Sequence, residues 1–226
     1  MNKTNNIKKV VFMALICALA YIFTFAFHIK VSFLTFDFKN TILAIGALIF
    51  GPVSAIATSL VVSLLEMFTI SDTGIWGCLM NFLASVSFAF TAGFIYKYKK
   101  TLGGAIFALI SASVVMTAIM IPLNLVITPI YTGAPVEAVK EMILPLLLPF
   151  NAIKAVLCSA VTLLIYKPIK KAFKIAGYST SSNEENFKFN KKSIIIAIIS
   201  IIVVVICVFI YFKFFNDTTF ELYTKK

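Results

Sequence analysis

The sequence predicts an all-α integral membrane protein, with a six-helix core followed by one additional C-terminal transmembrane helix. The chain is 61% hydrophobic and only 13% charged, whereas soluble domains are about 45–50% apolar and about 25% charged. The apolar residues also fall into several separate runs, most of them close to the roughly 20 residues that a helix needs to cross a bilayer. Composition and spacing therefore indicate a multi-pass protein.

The first half of the chain predicts four spans. The first covers residues 10–28, and an aromatic-rich linker, 30–39, leads to a short apolar run, 40–50. Gly51-Pro52 then predicts a tight turn, because proline suits the first position of a helix. The third span covers residues 53–68, and a fourth follows from 76 to 96 after a polar turn.

The second half predicts two further spans of the core. The fifth covers residues 102–127 and is followed by a turn-rich stretch, 128–135, because proline and glycine punctuate it. A short amphipathic segment runs up to Met142, and the sixth span covers residues 144–166.

A change of composition separates this core from the C-terminal part. We expect a core over residues 1–175, a polar linker over 176–192, the extra helix over 193–214 and a tail over 215–226. The extra helix is dominated by Ile and Val, so it offers packing or anchoring and no chemistry.

The distribution of lysine predicts the orientation. Residues 97–100 and 167–192 are rich in lysine, as is the N-terminus, and basic loops stay in the cytoplasm. If the N-terminus is cytoplasmic, all of these lysine-rich segments lie on the cytoplasmic side. The net charge of +11 is therefore explained by orientation, and we expect no nucleic-acid partner.

Several functions are disfavoured by what the sequence lacks. It has one histidine, His28, and no paired cysteine spacing, so metal and disulfide roles are not expected and the cysteines are predicted to be small core residues. A membrane enzyme would need a nucleophile and base or a metal cluster. No phosphate-binding G-x-x-x-x-G-K-[ST] motif occurs, so any ATP dependence must come from a partner.

The sixth span carries a charge that needs an explanation. Lys154 lies one helical turn after Asn151 in an otherwise apolar run, and a charge within a span costs roughly 2.5–3.5 kcal/mol on insertion scales. Candidate partners are Glu66, Asp37 and an electron-rich carbonyl of a ligand. A purely structural ion pair between helices is the alternative.

Amides and aromatic residues near the same ends of the spans complete the candidate site. Asn124, with Thr128 four residues later, and Asn81 join Asn151, and an amide presents a donor and an acceptor side by side to a ligand. Planar ligands also favour an aromatic slot, for which the candidates are Phe33, Phe36, Phe38 and Tyr131. The alternatives are hydrogen bonds between helices and simple packing.

Two small residues on the first span suggest a contact surface. Ala14 and Ala18 are spaced by four residues, which lets another helix approach closely. Packing within the monomer is equally compatible with this spacing.

Five motifs in order carry a family resemblance, namely Leu34-Thr-Phe-Asp-Phe-Lys39, Phe50-Gly-Pro52, Met80-Asn-Phe-Leu-Ala-Ser85, Leu123-Asn-Leu-Val-Ile-Thr-Pro-Ile-Tyr-Thr-Gly133 and Leu148-Pro-Phe-Asn-Ala-Ile-Lys154. Over about residues 8–172 the chain resembles the riboflavin-specific substrate-binding (S) components of energy-coupling factor (ECF) transporters.

The resemblance implies a non-enzymatic subunit in a bacterial cell membrane. It would capture riboflavin at the outer face, gated by the first and fifth loops, and dock through Ala14 and Ala18 on a transmembrane coupling subunit served by two ATPases. Toppling of the subunit would complete transport. The expected ligand-binding residues are Thr35, Phe36, Asp37, Phe38, Glu66, Asn81, Asn124, Thr128, Tyr131, Asn151 and Lys154.

The residues alone leave the ligand open. The same polar groups could serve thiamine, folate or biotin, and the phosphorylated flavin FMN is a further possibility. An ion-coupled carrier using Glu66 and Lys154 is a different class, although such carriers often contain inverted repeats and none is evident here.

Overall fold

A computed structural model describes residues 3–27, 29–31, 34–175 and 191–215. Within these residues the chain forms eight α-helices and one antiparallel β-hairpin, in which Ile29 pairs with Phe36. The elements are α1 (Lys3–Ala26), β1 (Ile29–Val31), β2 (Leu34–Phe36), α2 (Lys39–Phe50), α3 (Pro52–Thr69), α4 (Gly74–Tyr98), α5 (Leu102–Thr132), α6 (Val136–Glu141), α7 (Leu148–Ile175) and α8 (Lys191–Phe215).

The predicted fold class is confirmed. Five helices, α1, α3, α4, α5 and α7, are long and apolar enough to cross a membrane, and α2 and residues 194–210 of α8 are shorter apolar helices. The six-helix core thus consists of α1–α5 and α7. The hairpin is the one non-helical element among the described residues, and it replaces part of the predicted aromatic linker.

Helix α2 is the centre of the bundle. Its residues from Lys39 to Ile49 are all buried, and it contacts α1, α3, α4 and α7. A helix that is apolar on every side has to be enclosed by others. Twelve residues rise only about 18 Å, whereas a hydrocarbon core is about 30 Å thick. The remaining thickness of the hydrocarbon core, about 12 Å beyond the start of α2, must therefore be filled by other elements.

The two ends of the bundle differ in character, and we name them by their contents. The end at which α2 begins carries the hairpin, and we call it the hairpin end. The opposite end carries the lysine-rich segment 97–100 and the last turns of α7, and we call it the lysine end.

The predicted end of the fifth span was wrong. Helix α5 continues through Thr132, with Pro129 inside it, and Gly133 ends it in the left-handed conformation at φ 70°. Prolines are tolerated in membrane helices because nearby groups satisfy the freed backbone atoms. In the last turn the Thr132 hydroxyl donates to the Thr128 carbonyl at 2.7 Å.

Helix α7 begins with an irregular turn. Residues Ile143–Leu147 form a π-helical turn, in which the Leu147 amide donates to the Met142 carbonyl five residues earlier, at 2.9 Å. Pro145 lies inside this turn and Pro149 is the second residue after it, and neither has an amide proton to donate. Single π-turns often mark functional sites, and this one precedes Asn151 and Lys154.

Helix α8 packs along α7. Cys207 belongs to a buried apolar cluster with Leu157 and Phe150 of α7 and Phe36 of the hairpin. The four cysteines of the chain are all buried, as predicted for small core residues. The opposite face of α8 is exposed and consists mainly of Ile and Val, as expected for a face that meets lipid.

We predict that Cys207 reacts slowly with a membrane-permeable maleimide in the folded protein, because α7 covers it. Val205→Cys provides the matched control, since position 205 lies on the exposed face at 61% exposure. Peptide mass analysis after timed labelling in detergent should show the control thiol reacting faster, because thiol reactivity follows exposure. Equal rates would mean that α8 does not pack on α7.

Candidate ligand site

A cavity of about 280 Å³ lies at the hairpin end, directly beyond the start of α2. Residues from α1, β2, the β2–α2 loop, α2, α3, the α3–α4 turn, α4, α5 and α7 line it. The cavity therefore occupies the space that the short helix α2 leaves within the bundle. We call it the site cavity.

A chain of four buried charges runs across the wall of the site cavity. The Lys154 ammonium lies 3.0 Å from Asp37 Oδ2, the Lys39 ammonium lies 3.8 Å from the same oxygen, and Lys39 also lies 2.5 Å from Glu66 Oε2. Each of these residues is at most 5% exposed. Two cations and two anions are therefore buried together, which avoids the large cost of an unpaired buried charge.

Asp37 is the central member of this chain. Its Oδ1 accepts the backbone amide of Lys39 at 3.1 Å, so the carboxylate lies at the positive end of the α2 dipole, where an anion is stabilised. Asp37 lies in the loop before α2. Burial alone would raise the pKa of its carboxyl, but the charges of Lys154 and Lys39 outweigh burial and hold the pKa below its usual range.

Lys154 also holds the hairpin. Its ammonium donates to the backbone carbonyl of Thr35 in β2 at 2.8 Å, in addition to Asp37. An ammonium has three donors, so a third remains for another acceptor, and Lys154 lines the site cavity. The side chain therefore connects α7, the hairpin and the cavity.

Two asparagines on different helices face the site cavity in the same way. The Asn124 amide donates to the Met120 carbonyl at 2.7 Å, and the Asn151 amide donates to the Leu147 carbonyl at 2.8 Å. Each side chain is thus fixed by its own helix. A carboxamide has two donor protons and one acceptor oxygen, so both retain capacity for a ligand.

Glu66 presents a carboxylate oxygen without a partner among the described residues. Its Oε2 accepts from Lys39 and from the Asn81 amide at 3.1 Å, whereas Oε1 is buried and unpaired. Buried polar atoms in native proteins almost always have a partner. Because Glu66 lines the site cavity, a hydrogen-bond donor of a ligand would satisfy this atom.

The remaining wall is apolar and adaptable. Met80, Met116 and Met120 line the site cavity together with Phe150 and Leu34. Methionine adapts to irregular surfaces and interacts favourably with aromatic rings. The site therefore combines a polar edge with an apolar slot, which is the usual composition of a small-molecule pocket.

Eight of the eleven residues predicted to bind a ligand line the site cavity, namely Thr35, Asp37, Glu66, Asn81, Asn124, Tyr131, Asn151 and Lys154. Of the partners considered for Lys154, Asp37 is the ion-pair partner, while Glu66 pairs with Lys39 instead. Tyr131 lies within α5 and not in a loop.

Three predicted residues do not line the site cavity. Phe36 packs edge-on against Phe38 and Phe150, at ring distances of 5.6 and 6.3 Å, because aromatic rings on the short hairpin find partners on α7 and on each other. Phe38 also packs on Phe27 at 5.7 Å. Thr128 donates to Asn124 Oδ1 at 3.1 Å, so it orients an amide that lines the cavity.

The other residues singled out in the sequence are placed as follows. Phe33 and His28 lie outside the described residues, as does most of the predicted linker, 176–192. Ala14 and Ala18 are both exposed on α1. They therefore form part of an outer surface and are not packed within the bundle.

Sequence reasoning missed Lys39, which was assigned to the linker and not to the site. A signal was present, because Lys39 directly precedes an apolar run without a polar face. Such a helix must be enclosed, and a lysine at its start is then buried and needs an anion. The turn at residues 70–73 also lines the cavity, whereas the sequence pattern predicts only a connection between two spans there.

The fold and the site cavity define a helical membrane protein that binds a small molecule near one end of its bundle. A family model described as "ECF transporter, substrate-specific component" matches residues 8–166. The chain therefore belongs to the substrate-specific components of ECF transporters, as the sequence motifs predicted.

Individual relatives agree with this assignment. The chain is 33% identical over 177 residues to the riboflavin transporter RibU of Staphylococcus aureus (strain TCH60), covering 74% of this chain and 93% of the relative. It is 29% identical over 176 residues to the riboflavin transporter FmnP of Bacillus subtilis (strain 168), covering 73% and 93%.

A solved structure shares the fold. The S component of a bacterial ECF transporter superposes with a TM-score of 0.64 at 32% sequence identity, covering 75% of this chain and 99% of that one. Helix α8 lies beyond the residues that the family model matches.

We predict that Lys39→Met lowers the free energy of unfolding by about 3–5 kcal/mol, because it leaves buried carboxylates without their shared cation. Adding Glu66→Gln should recover about 1–3 kcal/mol, since the two residues are directly coupled. Denaturant titrations in mixed micelles measure both values. The exposed Glu137→Gln is the control for Glu66→Gln. If the double variant lost the sum of the unfolding free energies lost by the two single variants, the coupling between Lys39 and Glu66 would be contradicted.

Proposed function

We propose that this chain is the riboflavin-capturing subunit of an ATP-driven ECF transporter. The observation that carries the proposal is the site cavity, in which Asn124, Asn151, Lys154 and the unpaired oxygen of Glu66 converge beside an apolar slot. The names of the relatives from S. aureus and B. subtilis support riboflavin as the ligand.

The chemistry of the cavity suits a flavin. The isoalloxazine ring system is planar and has a polar edge of alternating carbonyl and N–H groups, which the two amides and the Lys154 ammonium complement. Its apolar faces suit the methionine-lined wall. The ribityl hydroxyls supply donors for the unpaired oxygen of Glu66.

The charge balance favours an uncharged ligand. The two lysines among the described residues that line the site cavity, Lys39 and Lys154, already lie beside carboxylates, so neither is left to neutralise a phosphate. A phosphate group would also have to be desolvated near Glu66, which like-charge repulsion makes unfavourable. We therefore expect FMN to bind more weakly than riboflavin.

The placement in the cell follows from the same reading. The lysine end faces the cytoplasm by the positive-inside rule, so the N-terminus is cytoplasmic and the site cavity opens toward the outside of a bacterial plasma membrane. A transmembrane coupling subunit and two ATPases supply energy. Residues 1–175 form the vitamin-binding core, and residues 193–214 form an appended helix.

A titration of riboflavin fluorescence with the detergent-purified chain tests the function. Quenching should saturate at one flavin per chain, and a separate titration with FMN should need a higher concentration to reach half saturation. Thiamine, folate and biotin should not compete. Absence of flavin quenching, together with direct binding of one of these vitamins by calorimetry, would assign the chain to a different S component.

We predict that Lys154→Ala weakens riboflavin binding about ten- to a hundred-fold, the effect of losing a hydrogen bond from a charged group. The protein should remain folded, because Asp37 keeps Lys39 nearby. Lys171→Ala, at the other end of α7, is the control. Unchanged affinity in the titration would remove Lys154 from the site.

We predict that replacing Ala14 and Ala18 by Leu leaves riboflavin binding unchanged and impairs transport. Both residues are exposed on α1, and larger side chains would prevent close approach of a coupling subunit. Flavin titration and uptake by cells expressing the complete transporter measure the two effects. Uptake at the original rate would rule out this surface for docking.

A further inference from the structure

A second cavity lies at the lysine end, and nothing in the proposed transport function uses it. It measures about 340 Å³ and is enclosed by the ends of α2 and α4, the start of α3, and parts of α1 and α7. Four lysines from three helices and one loop line it, namely Lys9, Lys97, Lys100 and Lys170. We call it the lysine cavity.

The lysine cavity has no acidic counterpart among the described residues. No described Asp or Glu is among the residues that line it, and the acidic residues whose side chains are described all belong to elements of the hairpin end, namely Asp37, Glu66, Asp72, Glu137 and Glu141. Orientation requires only that basic loops stay in the cytoplasm. It does not require lysines from separate elements to converge on one concave surface, where like charges repel.

The backbone adds a further positive contribution. Gly51, Pro52 and Val53, at the start of α3, line the lysine cavity, and no described side chain caps this helix start. Pro52 has no amide proton, and the Gly51 and Ser54 amides already donate to the carbonyls of Ala47 and Gly51, so this helix start contributes through the partial positive charge of the helix dipole. It therefore adds to the field of the four lysines.

One of the lysines is held in place by buried tyrosines. Tyr96 lines the lysine cavity and its hydroxyl hydrogen-bonds to the hydroxyl of Tyr166. The Lys170 ammonium donates to the Tyr166 hydroxyl at 3.5 Å and lies 5.8 Å from the centre of its ring. Tyr96 and Tyr166 are almost fully buried, so the ammonium is anchored to a rigid part of the bundle.

We propose that the lysine cavity binds a phosphate group, either of an anionic phospholipid headgroup or of a soluble phosphate compound. Its position at the ends of membrane helices corresponds to the level of lipid headgroups, where lysines attract anionic lipids. Phe50 and Val53 line the same cavity and offer an apolar border for the start of an acyl chain. The site cavity is remote, since Lys154 and Lys170 are about 24 Å apart along α7.

Native mass spectrometry of the full-length chain in a neutral detergent tests the proposal. The probes are phosphatidylglycerol, phosphatidylcholine and inorganic phosphate, each added alone, with a thermal-shift measurement in parallel. The test variant is Lys97→Gln with Lys170→Gln. The matched control is Lys99→Gln with Lys171→Gln, which removes the same charge at the same end from exposed residues that do not line the lysine cavity.

We expect phosphatidylglycerol to bind in preference to phosphatidylcholine. The test variant should lose about thirty-fold in affinity, from about 1 kcal/mol per lysine, whereas the control should lose about two-fold or less because its lysines do not line the lysine cavity and solvent screens their more distant charges. Quenching of riboflavin fluorescence by both variants would show that their bundles remain folded. If the wild-type chain binds no flavin, unchanged midpoints of thermal unfolding would show the same.

The probes also distinguish the source of the phosphate. Lysine-dependent stabilisation by inorganic phosphate, without retention of phosphatidylglycerol, would support the site with a soluble compound as its ligand. Equal losses in the two variants would show a diffuse charge effect and overturn the proposal. Absence of binding by both anionic probes to the wild-type chain would overturn it as well.

Discussion

The carboxylate of Asp37 is the group on which the hairpin end of this protein depends. It accepts hydrogen bonds from the Lys154 ammonium of α7 and from the backbone amide that begins α2, and the ammonium of Lys39 lies nearby. Neither lysine could be buried without such an anion, and Lys39 is also disfavoured by the positive start of α2. Glu66 extends the same chain of charges to α3. The chain of charges centred on Asp37 therefore connects three helices, and Lys154 connects them to the strand that lines the cavity.

The site cavity follows from the length of α2. A central helix that is too short to cross the bilayer leaves a space beyond its first residue, and the surrounding helices cannot close that space without losing their own packing. Polar groups lining such a space would be expensive if they were merely buried. Asn124, Asn151 and Lys154 are each held by hydrogen bonds to protein groups and still retain capacity for a ligand. The structure thus maintains a polar pocket inside an apolar bundle.

The sequence predicted the helices well, because long apolar runs between lysine-rich segments permit few other arrangements in a membrane. It predicted the ends of helices less well near proline and glycine, since α5 continues through Pro129 and ends only at Gly133. For the site, the cost of a buried charge identified Lys154, and amides at matching ends of the spans identified Asn124 and Asn151. Whether an aromatic side chain faces the cavity or its neighbours depends on hairpin geometry, so Phe36 and Phe38 could not be assigned. Lys39 was missed because its burial depends on how the other helices enclose α2.

The central claim is that this chain of paired charges shapes a pocket for an uncharged flavin. The most direct test is to purify the full-length chain from a bacterial membrane, record its visible absorbance before and after denaturation, and identify any released compound by mass. The account predicts a flavin spectrum that shifts on release and a mass equal to that of riboflavin. Release of FMN in preference to riboflavin, or of an unrelated molecule, would contradict it, as would failure of the purified chain to take up added riboflavin.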